Sequence, residues 1–203
     1  MERAERLRQV RAAGLERAEW HGRLAGDRVA ARTVAVVNAL HGGGAGPAEV
    51  AAVLLEYGER PPVRLTEADV AALRVAAEEV RGVLVAPDAK AAVGRLNALL
   101  ARCTGPLRLT SHGGEAPWHP HIDSSDDAPW DEWFRATSAI ALLSVVWERQ
   151  GPPGAVCAAR GCARVLIPYG AGPRRRHCSR RCATRERVAA HRARTARGAS
   201  PSA

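Results

Sequence analysis

Cys157-Ala158-Ala159-Arg160-Gly161-Cys162, fifteen further residues, then Cys178-Ser179-Arg180-Arg181-Cys182: on this stretch turns the reading of the 203-residue chain. Two close cysteine pairs separated by a short loop have zinc spacing. Zinc prefers four tetrahedral thiolate or imidazole ligands, and close pairs reduce the ordering entropy needed to gather them. Gly161 lets the backbone turn tightly and Val165-Leu166-Ile167 reads as a strand, so the first pair belongs to a knuckle on a hairpin. The second pair is spaced i, i+4 at the start of an expected helix, whose positive dipole end favours thiolate. An expected cytosolic setting disfavours disulfides, and the paired spacing disfavours free buried thiols. The expected site is therefore one structural zinc ion held by Cys157, Cys162, Cys178 and Cys182 in a treble-clef-like unit. His177 would break the i, i+4 relation and His191 lies about half a helical turn from Cys182, so neither is an expected ligand. The fifth cysteine, Cys103, reads as a small hydrophobe inside a core helix.

Working outward, the chain is charged unevenly. From Gly151 onward twelve arginines face a single acid, Glu186, whereas residues 1–150 hold 18 bases and 20 acids. A near-neutral body joined to a strongly basic end suggests a polyanion-binding module on a different kind of domain. At about 100° per residue, Cys178, Cys182, Ala189, Ala193 and Ala196 share one face of the last helix, which is expected to hold it down. Arg180, Arg187 and Arg194 form one opposite stripe, Arg181, Arg185 and Arg192 a second, and Arg174-Arg175-Arg176 adds to the same patch. Guanidinium groups match phosphate oxygens bidentately and read guanine edges, so this face is the expected nucleic-acid contact. Val188 is the helix's only bulky apolar residue, which disfavours membrane-surface binding.

Upstream, hydrophobic residues make up 46% of the chain and charged residues 25%, enough for a packed core. Residues 1–24 read as a charged helical extension without a secretory signal, and the longest apolar run, 136–147, is too short to span a bilayer, so a cytoplasmic protein is expected. Helices are expected over 28–40, 48–57 and 66–85, the last opened by the capping-box pattern Thr66-Glu67-Ala68-Asp69, and another after Asp88. The triple glycine 42–44 lacks the strand before it and the Lys-Ser/Thr after it that a phosphate loop requires. Residues 107–123 alternate and read as a short β-hairpin placing His119 and His121 on one face, as a pair of metal ligands would need. No acidic or thiol partner has an evident claim beside them, so solvent-facing strand positions are the expectation. A long helix over 130–149 follows, with 139–147 apolar on nearly all sides and expected at the centre. Gly151-Pro152-Pro153-Gly154 marks a domain boundary.

These C-terminal residues, with Arg175-Arg176-His177-Cys178-Ser179, Cys182-Ala183-Thr184-Arg185 and Val188-Ala189-Ala190-His191-Arg192, resemble the bacterial CGNR zinc finger. The motif that names that family keeps its Cys and Arg here but has Ala183 and Thr184 for Gly and Asn. Val36-Val37-Asn38-Ala39-Leu40 is similar to the early signature of the ABATE domain that precedes this finger in stress-induced transcription regulators. The resemblance implies an ABATE-like helical domain over 25–150, a finger over 155–197 and a disordered tail over 198–203. The expected fold class is thus mainly α (α+β), a helical domain with a short β-hairpin plus a small zinc finger ending in a basic helix. The expected function is a zinc-dependent DNA-binding transcription regulator, with an N-terminal domain for homodimerisation or ligand sensing. The alternative is a zinc ribbon for RNA or an acidic protein. A hydrolytic metal site at the hairpin histidines with Trp118, Asp123, Asp126 and Asp127 lacks a nucleophile–base arrangement, and a non-enzyme is expected.

Overall fold

The structure, a computed structural model, describes residues 22–103, 105–114, 116–169 and 173–198. The expected N-terminal extension lies outside these residues but for its last three, and so does the tail from residue 199. Six α-helices and two short hairpins follow in the order α1 (Gly22–Leu40), α2 (Pro47–Glu56), α3 (Glu67–Leu84), α4 (Ala89–Leu100), β1 (Arg108–Thr110), β2 (His119–His121), α5 (Trp130–Arg149), β3 (Ala155–Val156), β4 (Val165–Leu166) and α6 (Arg180–Gly198). The fold is mainly α, as the apolar periodicity predicts.

Local chemistry sets the helix starts. Thr66 caps α3 reciprocally: Asp69 N–H donates to Thr66 Oγ1 at 3.1 Å and Thr66 N–H donates to Asp69 Oδ2 at 2.7 Å. The Thr66 backbone bond, and then its hydroxyl, hold the Asp69 carboxyl below its usual range, so this contribution exists above the unfolded carboxylate pKa and is lost as pH falls through the folded value. Thr66→Ala should cost about 1 kcal/mol at neutral pH, read as a lowered urea midpoint. Asp88 accepts the Ala91 N–H at 2.8 Å to start α4. Pro47 occupies the first turn of α2, where its missing N–H leaves no intrahelical bond unmade.

The core is built around α3, which buries Val70, Leu73, Ala76, Ala77, Val80, Val83 and Leu84 against α1, α4 and α5. Helix α5 spans the expected residues and buries its middle, Phe134 to Leu142. Its C-terminal part differs from expectation: Trp147 is 75% exposed and Leu143 also reaches solvent. In these last turns only Val145 and Val146 stay half-buried, Val146 against the core, so one side of the helix is covered and the other faces solvent. Among polar groups, Thr33 of α1 and Ser138 of α5 share a buried hydroxyl–hydroxyl bond of 3.1 Å. Arg135 is clamped by Glu79 at 2.8 Å and Asp131 at 3.5 Å. Cys103 follows α4 instead of lying within a helix; the helix ends at Leu100, and the Cys103 thiol donates back to Leu99 O at 3.5 Å. Burial pushes this thiol's pKa up.

The second hairpin shares the helical core. Val165 of β4 is fully buried in the same apolar cluster as Val37 and Leu84, and Ile167 packs against it. Gly154 passes so close to the end of α3 that a Cβ there would stand 2.6 Å from Leu84 O. Asn38 of α1 then holds β4 by its backbone: its Nδ2 donates to Val165 O at 2.9 Å, and Val165 N–H donates to its Oδ1 at 2.8 Å. Among the described residues no helix is long and apolar enough to cross a membrane.

Candidate metal centre and basic face

The first cysteine pair sits at the tip of the β3–β4 hairpin. Cys157 N–H donates to Arg164 O at 2.8 Å and Cys162 N–H to Ala159 O at 3.0 Å, closing the knuckle. Gly161 takes φ +70°, in the left-handed region that a side chain disfavours. The second pair comes from the lead-in to α6. Here the structure shifts the expected register, because α6 begins at Arg180 and Cys178 precedes it. Ser179 is the cap: its Oγ accepts the Cys182 N–H at 3.2 Å. Cys182 thus lies in the first helical turn and Cys178 in the turn before it.

The four sulfurs converge. Sγ separations are 3.7 Å for Cys178–Cys182, 3.8 Å for Cys162–Cys178 and 3.9 Å for Cys182–Cys162, and all four atoms lie within 4.8 Å of one another. A tetrahedron with Zn–S bonds of about 2.3 Å has edges of about 3.8 Å, whereas a disulfide needs about 2.05 Å. The donor set therefore fits one structural zinc ion and not a disulfide.

Electrostatics agree with that fit. Burial raises the Cys157 thiol, but hydrogen bonds from the Cys178 and Ala159 N–H groups outweigh it and bring the pKa down to about 7. Cys178 is pushed up to about 12, first by burial and then by the adjoining thiols. One thiolate opposes the next at this spacing, so four thiolates together require a cation among them.

The arginines divide into two groups. Arg185 donates to Arg160 O at 3.0 Å while Glu186 accepts the Arg160 N–H at 2.9 Å, so two consecutive residues of α6 clamp the knuckle. Arg175 donates to Ile167 O at 3.0 Å, Arg187 to Thr184 Oγ1 at 3.1 Å, and Arg174 stacks on Tyr169. For Arg176, Arg180, Arg181, Arg192 and Arg194, among the described residues, no hydrogen bond or ion pair holds the guanidinium. These side chains are exposed, and the one acid of this stretch, Glu186, accepts a backbone N–H at the knuckle and forms no ion pair with them.

The expected alanine seat of α6 is not formed. Ala189 and Ala193 are exposed, as is every side chain from Arg187 to Thr195. The knuckle reaches no farther than Glu186, so the cysteine cluster and the Arg185 and Glu186 contacts with Arg160 anchor the start of the helix, and the side chains beyond them are exposed. Helical phase puts Arg185 on the expected nucleic-acid face but carries no sign of its backbone partner 25 residues away. The structural part of Asn38 is hidden for the same reason.

The other hairpin also differs from expectation. Register Arg108↔His121, Leu109↔Pro120 and Thr110↔His119 places His119 and His121 on one face, as the alternation predicts. That face is turned inward. His121 is buried, and His112, from the turn between the strands, joins the pair. Burial, then the neighbouring imidazoles, lower the His119 pKa below its usual value despite its bond to Pro117.

No curated protein matches the chain. Residues 155–195 match the family model of the CGNR zinc finger, and the four-sulfur cluster and the exposed arginines of α6 fall inside the matched stretch.

Proposed function

We propose that the protein is a zinc-dependent DNA-binding transcription regulator of the cytoplasm or nucleoid. In this reading α6 contacts duplex DNA, and the helical body, which resembles the ABATE domain, dimerises or senses a small molecule. The observation that carries it is the exposed, arginine-bearing length of α6. Nine exposed residues, Arg187 to Thr195, extend about 13 Å at 1.5 Å per residue, a span comparable to a major groove about 12 Å wide. Arginine neutralises phosphates for affinity and reads base edges for specificity. The zinc cluster's four positions are filled by sulfur, so its part is to aim the helix, and we assign no catalytic step to it.

A random duplex library, selected with the zinc-loaded full chain and again with chelator, tests the reading. Shortening the chain at Gly151 is a poor control, because it would strip Val165 from the core. A defined motif, lost on chelation, is expected, and its symmetry reports whether a dimer binds. Salt-sensitive binding without any enriched motif, or preference for folded RNA, would overturn the reading in favour of an RNA or acidic-protein partner.

A second measurement separates contact from scaffold. Replacing Arg180, Arg181 and Arg192 together by Ala should flatten the slope of log K against log salt by about 3, with little change in thermal stability. Arg185→Ala should instead lower stability, since it releases Arg160 O. An unchanged slope in the triple variant removes α6 from the interface.

A further inference from the structure

Three imidazoles meet at the inward face of the β1–β2 hairpin. His119 Nε2 lies 3.0 Å from His121 Nε2 and 3.2 Å from His112 Nε2. The opposite nitrogen of each ring faces an oxygen. His119 Nδ1 is 2.7 Å from Pro117 O, and a carbonyl only accepts, so this nitrogen carries the proton. His121 Nδ1 sits 2.7 and 2.9 Å from the two carboxylate oxygens of buried Asp123, and donates to them. His112 Nδ1 faces Asp126 Oδ2 at 3.6 Å.

With their Nδ1 protons given to Pro117 O and Asp123, His119 and His121 turn Nε2 lone pairs toward each other, and His112 brings its own Nε2 to the same point. Lone pairs at 3.0–3.2 Å repel unless a cation lies among them. One bridging proton relieves one such pair; a metal ion relieves all. Ligand nitrogens on a tetrahedral zinc, at about 2.05 Å, stand about 3.3 Å apart, close to the observed separations. An oxygen behind each metal-binding imidazole is the usual outer support, fixing the tautomer and the ring plane. Charge agrees: Asp123 and Asp126 share one guanidinium, Arg108, at 2.8 and 3.1 Å, which leaves one negative charge over.

We propose that His112, His119 and His121 bind one divalent transition-metal ion, zinc by fit, through their Nε2 atoms, as a site separate from the cysteine cluster. No fourth described side chain joins the group, so a water or small anion completes the coordination. The site is therefore open, unlike the sulfur site, and suited to an exchangeable ion.

The test is metal content and cobalt spectroscopy of the full chain. After equilibration with zinc and removal of excess, two ions per chain are expected; His112→Ala with His119→Ala should leave one. Cobalt loading should give thiolate charge-transfer bands from the cysteine site plus a weaker ligand-field spectrum without thiolate character, the latter alone lost in the histidine variant. A single ion per chain with a purely thiolate spectrum overturns the proposal, and so does a second ion that survives the histidine substitutions. If the variant loses its helical circular dichroism, the wild-type spectrum decides by itself, since the second, sulfur-free cobalt signal is either present or absent.

Discussion

Chelating the zinc ion, or replacing Cys178 by Ser, is expected to unfold the knuckle and release α6 while the helical body keeps its structure. Strands β3 and β4 have two residues each, far below what a hairpin needs to stand alone in water. The finger's own buried cluster is Cys157, Ala159, Leu166 and Cys182, so half of its interior is metal ligand. With so little apolar area, the binding free energy of a structural zinc ion, about 10–16 kcal/mol in small fingers, is the folding free energy of the unit. The body differs, because α3 alone buries seven apolar residues against its neighbours.

Amide hydrogen exchange checks the outcome residue by residue. The Cys157 and Ala158 N–H groups, bonded to Arg164 O and Arg176 O at 2.8 Å, should lose protection on chelation. The N–H groups of α3 should keep theirs. Uniform loss across both regions would mean that the finger and the body unfold together; unchanged protection at Cys157 would mean that the knuckle stands without metal.

What was legible in the sequence follows from what kind of regularity each feature has. The four cysteines are readable because the ligand spacing of a knuckle and of a helix start is set by local backbone geometry. Helix starts at Thr66 and Asp88 are readable because a cap acts within three residues. The trio of histidines is not, since His112 occupies a turn position with φ +48°, outside any alternation, and only strand pairing brings it to His119 and His121. The acids that support those rings, Asp123 and Asp126, look like loop and cap residues until the chain folds back on Arg108. Helical phase likewise gives the direction of each α6 side chain but not what lies opposite it. Arg185, turned onto the Arg160 carbonyl, and Ala189, exposed, both follow from how short the knuckle is.

The same limit hides Asn38, and its substitution should have a large effect on stability. Val165 pairs with Val156 on one edge of β4, which leaves its own N–H and C=O on the other edge, at a residue with no solvent exposure. Asn38 occupies that edge as a strand residue would, one amide group supplying both donor and acceptor at 2.9 and 2.8 Å. Asn38→Ala strands two buried backbone groups, each costing about 1–3 kcal/mol when left unpaired. The expected loss is about 2–6 kcal/mol, read as a lower denaturant midpoint. Helix propensity works against that result, because Ala is the better helix former by about half a kcal/mol, so a raised midpoint would show that the amide bridge contributes nothing. Asn38→Asp keeps the acceptor for Val165 N–H, loses the donor and sets a carboxylate against Val165 O. It should therefore be least stable at neutral pH and recover as acid protonates the new side chain, a pH dependence that the Ala variant lacks. Since β4 leads straight out of the knuckle, both variants should also hold zinc less tightly, which ties the N-terminal helix to the metal site by a measurable free energy.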